Sequence, residues 1–239
     1  MTQASPPCTR PGSVLWLAGV GGCVDGIGFI TLGSLFVSHM SGNSAALGAY
    51  FGKGDWQLGL PHLFAIPVFV LGLILGYYFT ARWNSMKPVV FILLGEAILL
   101  TAFLCLLALN GNPALGSPTF YAMATLPLLA MGLQNATLKK VGHMTFHTTY
   151  VTGVLDTLGE SSARALLKHE SMPPATAPPM WVAKMAASTW AAYIVGALYG
   201  SATLLYAGAF ALALPVASLV LIARHLALTI DREDADHAR

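Results

Sequence analysis

The chain has 239 residues, of which 56% are hydrophobic and only 9% charged, with a net charge of +2. An average soluble domain carries roughly 25% charged residues, so the composition excludes an ordinary soluble enzyme and indicates an integral membrane protein. The small net charge gives no reason to expect a nucleic-acid partner, and spans of about 20 residues each leave little length for a separate soluble domain.

In chain order, residues 1–12, with Pro6, Pro7 and Pro11, are expected to form a disordered tail. They lack the cationic region, short apolar core and small-residue cleavage site of a removable signal peptide. A first membrane repeat is predicted over 13–110, a second over 119–226, and a charged tail over 227–239. Six segments are apolar and long enough to cross a bilayer: Val14 to Val37, Pro61 to Ala81, Val89 to Leu109, Tyr121 to Leu138, Met180 to Leu204 and Tyr206 to His225. Ser38 to Gly52 and Thr145 to Lys168 are too short or too polar for full spans. They predict broken-helix or re-entrant segments after the first and fourth helices, which are tolerated at depth only inside protein or beside water. Cys8, Cys23 and Cys105 show no metal-ligand spacing and are expected to be packing residues. No metal or other cofactor is expected.

The halves repeat one another. Gly22-x-x-Asp25, His39-Met40-Ser41-Gly42-Asn43 and Leu47-Gly48 in the first answer to Gly132-x-x-Asn135, Tyr150-Val151-Thr152-Gly153 and Leu158-Gly159 in the second. Phe69-x-x-Gly72-x-x-x-Gly76 is echoed by Tyr193-x-x-Gly196-x-x-x-Gly200. With both termini in the cytoplasm and each insert returning to the side it entered from, eleven cations face the cytoplasm. These are Arg10, Arg82, Lys87, Lys139, Lys140, Arg164, Lys168, Lys184, Arg224, Arg232 and Arg239, leaving Lys53 outside, as the positive-inside tendency requires. Three crossings per half then make the second half enter the membrane inverted. The fold expected is all-α: six transmembrane helices as two inverted three-helix repeats.

The glycine pairs Gly72/Gly76 and Gly196/Gly200 put small residues on one face, letting helices approach closely. Packing within one chain is favoured over homo-oligomerisation. Asp25 lies about 16 Å into the first span and Glu96 about 11 Å into the third. A carboxylate at that depth costs about 2.5 to 3.5 kcal/mol unless it faces protein or water. Both are candidate proton or cation sites, and the two are expected to act together. A protonated Asp25 that only pins helices is the bland alternative.

Ser41-Gly42-Asn43 and Thr152-Gly153, preceded by His39, His147, Thr148 and Thr149, predict matched helix breaks whose freed backbone groups hold a ligand or are capped locally. Gln134 and Asn135 are expected to hydrogen-bond between helices. Asp156, Glu160 and Arg164 share one helix face, with Glu160 and Arg164 in the favourable order for an ion pair.

These motifs together resemble the YoaK-like family of bacterial multi-pass membrane proteins over roughly Val14 to Ala223. Asp25, Ser41, Gly42, Asn43, Gln134, Asn135, Thr152 and Gly153 match its pattern. The resemblance implies a six-span inner-membrane protein with no established biochemical role.

The expected function is a small secondary transporter for an unknown solute or ion, in contact with the lipid bilayer. A gradient must supply the energy, because no Gly-x-x-x-x-Gly-Lys loop is present. The alternatives are a non-transporting scaffold or assembly factor that binds through its glycine faces, and an intramembrane hydrolase using Ser41. The hydrolase is disfavoured because His39, two residues from Ser41, would face elsewhere on a helix.

Overall fold

The computed structural model describes residues 11–82, 87–137, 140–141, 144–145, 149–167 and 178–237. The expectations placed on residues 1–10, His147, Thr148 and 168–177 lie outside the described residues. The fold is all-helical: α1 (Pro11–Thr31), α2 (Met40–Gly52), α3 (Trp56–Arg82), α4 (Lys87–Asn110), α5 (Pro118–Asn135), α6 (Val151–Leu167), α7 (Pro179–Ala207) and α8 (Ala213–His237). A 3₁₀ turn, Gly208–Leu212, joins the last two helices. Lys140–Val141 and Met144–Thr145 form a two-residue antiparallel ladder, too short to count as a sheet.

Among the described residues, four segments are long and apolar enough to cross a membrane: Pro11–Thr31, Trp56–Arg82, Lys87–Asn110 and the 52 residues Pro179–Ile230. At about 20 residues per crossing, the last has length for two. The fourth predicted span corresponds to α5, an 18-residue helix that contains Pro127 and ends in Gln134-Asn135. It is not among those four segments.

The first predicted span runs too far. Helix α1 stops at Thr31, because Gly33 and Ser34 adopt left-handed φ values of 60° and 66°. The Ser34 N–H donates to the Phe29 carbonyl at 2.9 Å, a Schellman-type ending in which glycine takes the left-handed position without a Cβ penalty. The chain then doubles back. Val37 and Ser38 reach Asp25, six residues before the end of α1 and about 9 Å below it. From that depth α2 sets out again. Ser41, Gly42 and Asn43 therefore sit in the first turn of α2, and Thr152 and Gly153 in the first turn of α6. They are helical, and the breaks precede them.

Helix pairing exchanges partners between the halves. Helix α1 packs mainly on α7 and α5 mainly on α3, while α2 packs on α3 and α6 on α7. Glycine makes the exchange possible. Gly22 faces the Tyr193 backbone and Gly196 faces the Gly19 backbone, so that α1 and α7 touch main chain to main chain. In the other pair, a Cβ on Gly72 would stand 2.6 Å from the Leu129 carbonyl oxygen. Gly76 and Gly200 lie on the same two seams, against Ala136 and Cys23. Cys105, by contrast, is exposed on α4, so it is not the packing residue the sequence suggests.

Candidate functional site

Asp25 is 3% exposed and is held almost entirely by donors. The N–H groups of Val37 and Ser38 donate to Oδ1 at 2.8 and 2.9 Å. At Oδ2 the Tyr193 hydroxyl donates at 2.7 Å and His39 Nδ1 lies at 2.8 Å. The Ser38 hydroxyl also donates to Oδ2. Two of these donors are backbone N–H groups released by the break, so the carboxylate takes the place of the hydrogen bonds that a continuous helix would have made. Because Tyr193 belongs to α7, the same carboxylate ties the first break to the second half of the chain.

His39 shows 23% of its side chain to solvent. Its ring stands edge-on to Tyr193, with centroids 5.3 Å apart. With Nδ1 committed to Asp25, the imidazole is oriented by a carboxylate, as histidine ligands and bases commonly are. Among the described residues, no protein partner is seen for Nε2.

The second break repeats this in uncharged form. Asn135 Nδ2 donates to Thr149 Oγ1 at 2.6 Å, and the same hydroxyl is 2.8 Å from Asn135 Oδ1. Helices α2 and α6 begin at Met40 and Val151, so Ser38 and Thr149 both stand two residues before a helix start. Ser38 donates to Asp25 where Thr149 pairs with Asn135, and a carboxylate–hydroxyl pair in one half is an amide–hydroxyl pair in the other.

Both breaks open on one cavity of about 310 Å³. Ser38, His39, Met40 and Ser41 line it from the first half, and Asn135, Thr149, Tyr150, Val151 and Thr152 from the second. Phe69, Leu73 and Tyr77 of α3 close a side. His39 is the sole Asp, Glu, Lys, Arg or His side chain among the described residues lining it.

The remaining predicted residues divide. Asn43 is fully buried and staples the loop: its Nδ2 donates to the Phe36 carbonyl at 2.7 Å, and its Oδ1 accepts from Phe36 N at 3.2 Å and lies 3.0 Å from His62 Nδ1. Gly42 lies under the Phe36 ring and Gly153 under the Tyr150 ring. Gln134 Nε2 donates to the Leu17 carbonyl at 3.0 Å, joining α5 to α1. The Glu160–Arg164 ion pair forms at 2.8 Å on the exposed face of α6, away from the cavity.

Glu96 does not join Asp25. Its helix packs on α5, α8 and the 3₁₀ turn, it is fully buried, and neither carboxylate oxygen has a hydrogen-bond partner among the described residues. The expected pairing fails because the doubled-back loop already surrounds Asp25 with donors.

Sequence reading missed the roles of Ser38, Tyr193 and His62. The signal for Tyr193 was present: it precedes Gly196 by three residues, so it shares the helix face that meets α1.

These long apolar helices define a multi-pass membrane protein. The chain belongs to the DUF1275 family, described as a protein of unknown function, whose model matches residues 13–224. It is similar to the UPF0700 transmembrane protein YoaK of Bacillus subtilis (strain 168), with 30% identity over 153 residues. The match covers 62% of this chain and 66% of that relative. No solved structure matches the chain.

Proposed function

We propose that the protein is a small secondary transporter of the bacterial inner membrane, its solute site being the cavity between the two helix breaks. The observation that carries this reading is the shared lining, in which Ser41 and Thr152, from equivalent first turns of α2 and α6, border the same 310 Å³ space. Helices α1, α3, α4, α5, α7 and α8 cross the membrane as two inverted sets of three, with both termini cytoplasmic. The exchanged packing of α1 on α7 and α5 on α3 supports this, because swapping the halves turns one pair into the other.

Two helices start at this one cavity, and hydroxyls and an imidazole line it. Such polarity suits a small solute carrying an acceptor or negative group. His39, backed by Asp25, is the group that carries a proton with the solute. Glu96 lies outside the cavity and has no part in the solute path.

The scaffold reading loses its main support, since the glycine faces that would bind a partner are used inside the chain. The hydrolase reading gains none, since Ser41 is not among the hydrogen-bond partners of His39.

Reconstituted protein given a proton gradient and a panel of small carboxylates tests the proposal. Uptake of at least one is expected, abolished by Ser41→Trp, which plugs the cavity, and strongly reduced by Asp25→Asn. Absence of any solute or proton movement in wild type, under either gradient direction, would overturn it.

A further inference from the structure

Not every polar group at the cavity between the two breaks is available to a ligand. The Asp25 carboxylate, which offers about four lone-pair positions, already has five donors around it, so nothing is left for a bound molecule. Ser38 gives its hydroxyl to that carboxylate, and Asn135 and Thr149 are joined to each other through their side chains. The exposed Ser41 and Thr152 hydroxyls and His39 Nε2 remain, and no protein partner is seen for them among the described residues. Phe69 and Leu73 of α3, with Met40 and Val151, add apolar wall to the same space.

Among the described residues lining the cavity there is no Asp or Glu, and His39 is the sole side chain that can turn cationic. An ammonium group in this space would meet no anion, and a second negative charge would meet no cation. Burying either one unpaired costs far more than burying a neutral group. The volume of about 310 Å³ is that of about ten water molecules in the liquid, and so matches a molecule of about ten non-hydrogen atoms. Building on the transporter reading of this site, we infer that its solute is a small monocarboxylate with an apolar body. The carboxylate lies on His39, Ser41 and Thr152, and the body lies against Phe69 and Leu73. The charge count excludes amines, amino acids and dicarboxylates. Sugars are excluded because their hydroxyls outnumber the uncommitted polar groups and would face apolar wall.

Equilibrium binding of labelled phenylacetate to the full chain in detergent tests this, with competitors that each change one feature. Phenylglycine adds an ammonium, phenylmalonate a second carboxylate, phenylacetamide removes the charge and acetate removes the apolar body. Each is expected to compete about tenfold or more weakly than phenylacetate, because each leaves a charge unpaired, a donor unmet or the apolar wall uncovered. Ser41→Trp should abolish binding. Thr152→Asp places a carboxylate in the first turn of α6, where a negative charge is well tolerated, and should reverse the order of phenylacetate and phenylglycine. Lack of saturable phenylacetate binding in wild type would overturn the inference. So would phenylglycine or phenylmalonate competing as well as phenylacetate, or an unchanged order in Thr152→Asp. Flux in proteoliposomes separates this inference from the transporter reading. Phenylacetate bound with the expected ranking but not carried supports the solute class and contradicts transport, whereas carriage of phenylglycine without phenylacetate binding supports transport and overturns the class.

Discussion

Asp25 and Glu96 are both buried carboxylates in apolar helices, yet their surroundings are opposite. Asp25 gathers donors from two backbone amides, two hydroxyls and an imidazole, whereas Glu96 has none among the described residues. Truncating Asp25 to alanine strands buried N–H groups, each costing about 1 to 3 kcal/mol, so Asp25→Ala should markedly lower the melting temperature in detergent. Asp25→Asn, which keeps one acceptor, should lower it less. Glu96→Leu should do the reverse. Replacing a buried polar group that lacks a hydrogen-bond partner by an apolar one of similar size removes a desolvation penalty of about 1 to 3 kcal/mol, and a fall in melting temperature would mean that Glu96 has a partner after all. The sequence made both residues conspicuous by depth alone. It could not tell them apart, because the donors of Asp25 come from a loop that doubles back and from a tyrosine 168 positions away.

Among the elements, the break positions were the least legible feature. Gly42 and Gly153 suggested themselves as breakers, but both are helical and serve as flat ground for Phe36 and Tyr150. The actual reversal in the first half uses Gly33 and Ser34, whose left-handed turn leaves no periodic trace in an apolar run. Glycine roles therefore separate by what faces them. Gly22 and Gly196 meet backbone across the α1–α7 seam, and a methyl group there cannot be absorbed by a rotamer change. Gly22→Ala and Gly196→Ala should each destabilise by about 1 to 3 kcal/mol through overpacking. Gly48 and Gly159, in α2 and α6, have open space where a Cβ would sit. Gly48→Ala and Gly159→Ala should stabilise by about 0.5 to 1 kcal/mol through reduced unfolded-state freedom. Thermal melts of the four variants in one detergent check the contrast, and equal effects would refute the assignment of seams.

For the whole molecule, composition alone indicated a helical membrane protein, and α4, α5 and α7 lie close to their predicted spans, whereas α1 (Pro11–Thr31) ends well before Val37 and α8 (Ala213–His237) is shifted toward the C-terminus of the predicted Tyr206 to His225. What composition could not supply was the partner exchange, α1 with α7 and α5 with α3, since glycine pairs announce close contact without naming the contacting helix. That exchange is what brings the two breaks to one cavity. The inverted arrangement of the halves is the claim on which the transporter proposal rests. Cysteine accessibility in intact cells measures it directly, with Cys8, Cys23 and Cys105 replaced and single probes placed at Lys53 and Lys140. A membrane-impermeant thiol reagent should label the probe at Lys53 from outside and the probe at Lys140 only after the membrane is opened. Labelling of both from the same side would contradict the inverted repeat and remove the central site as a path across the membrane.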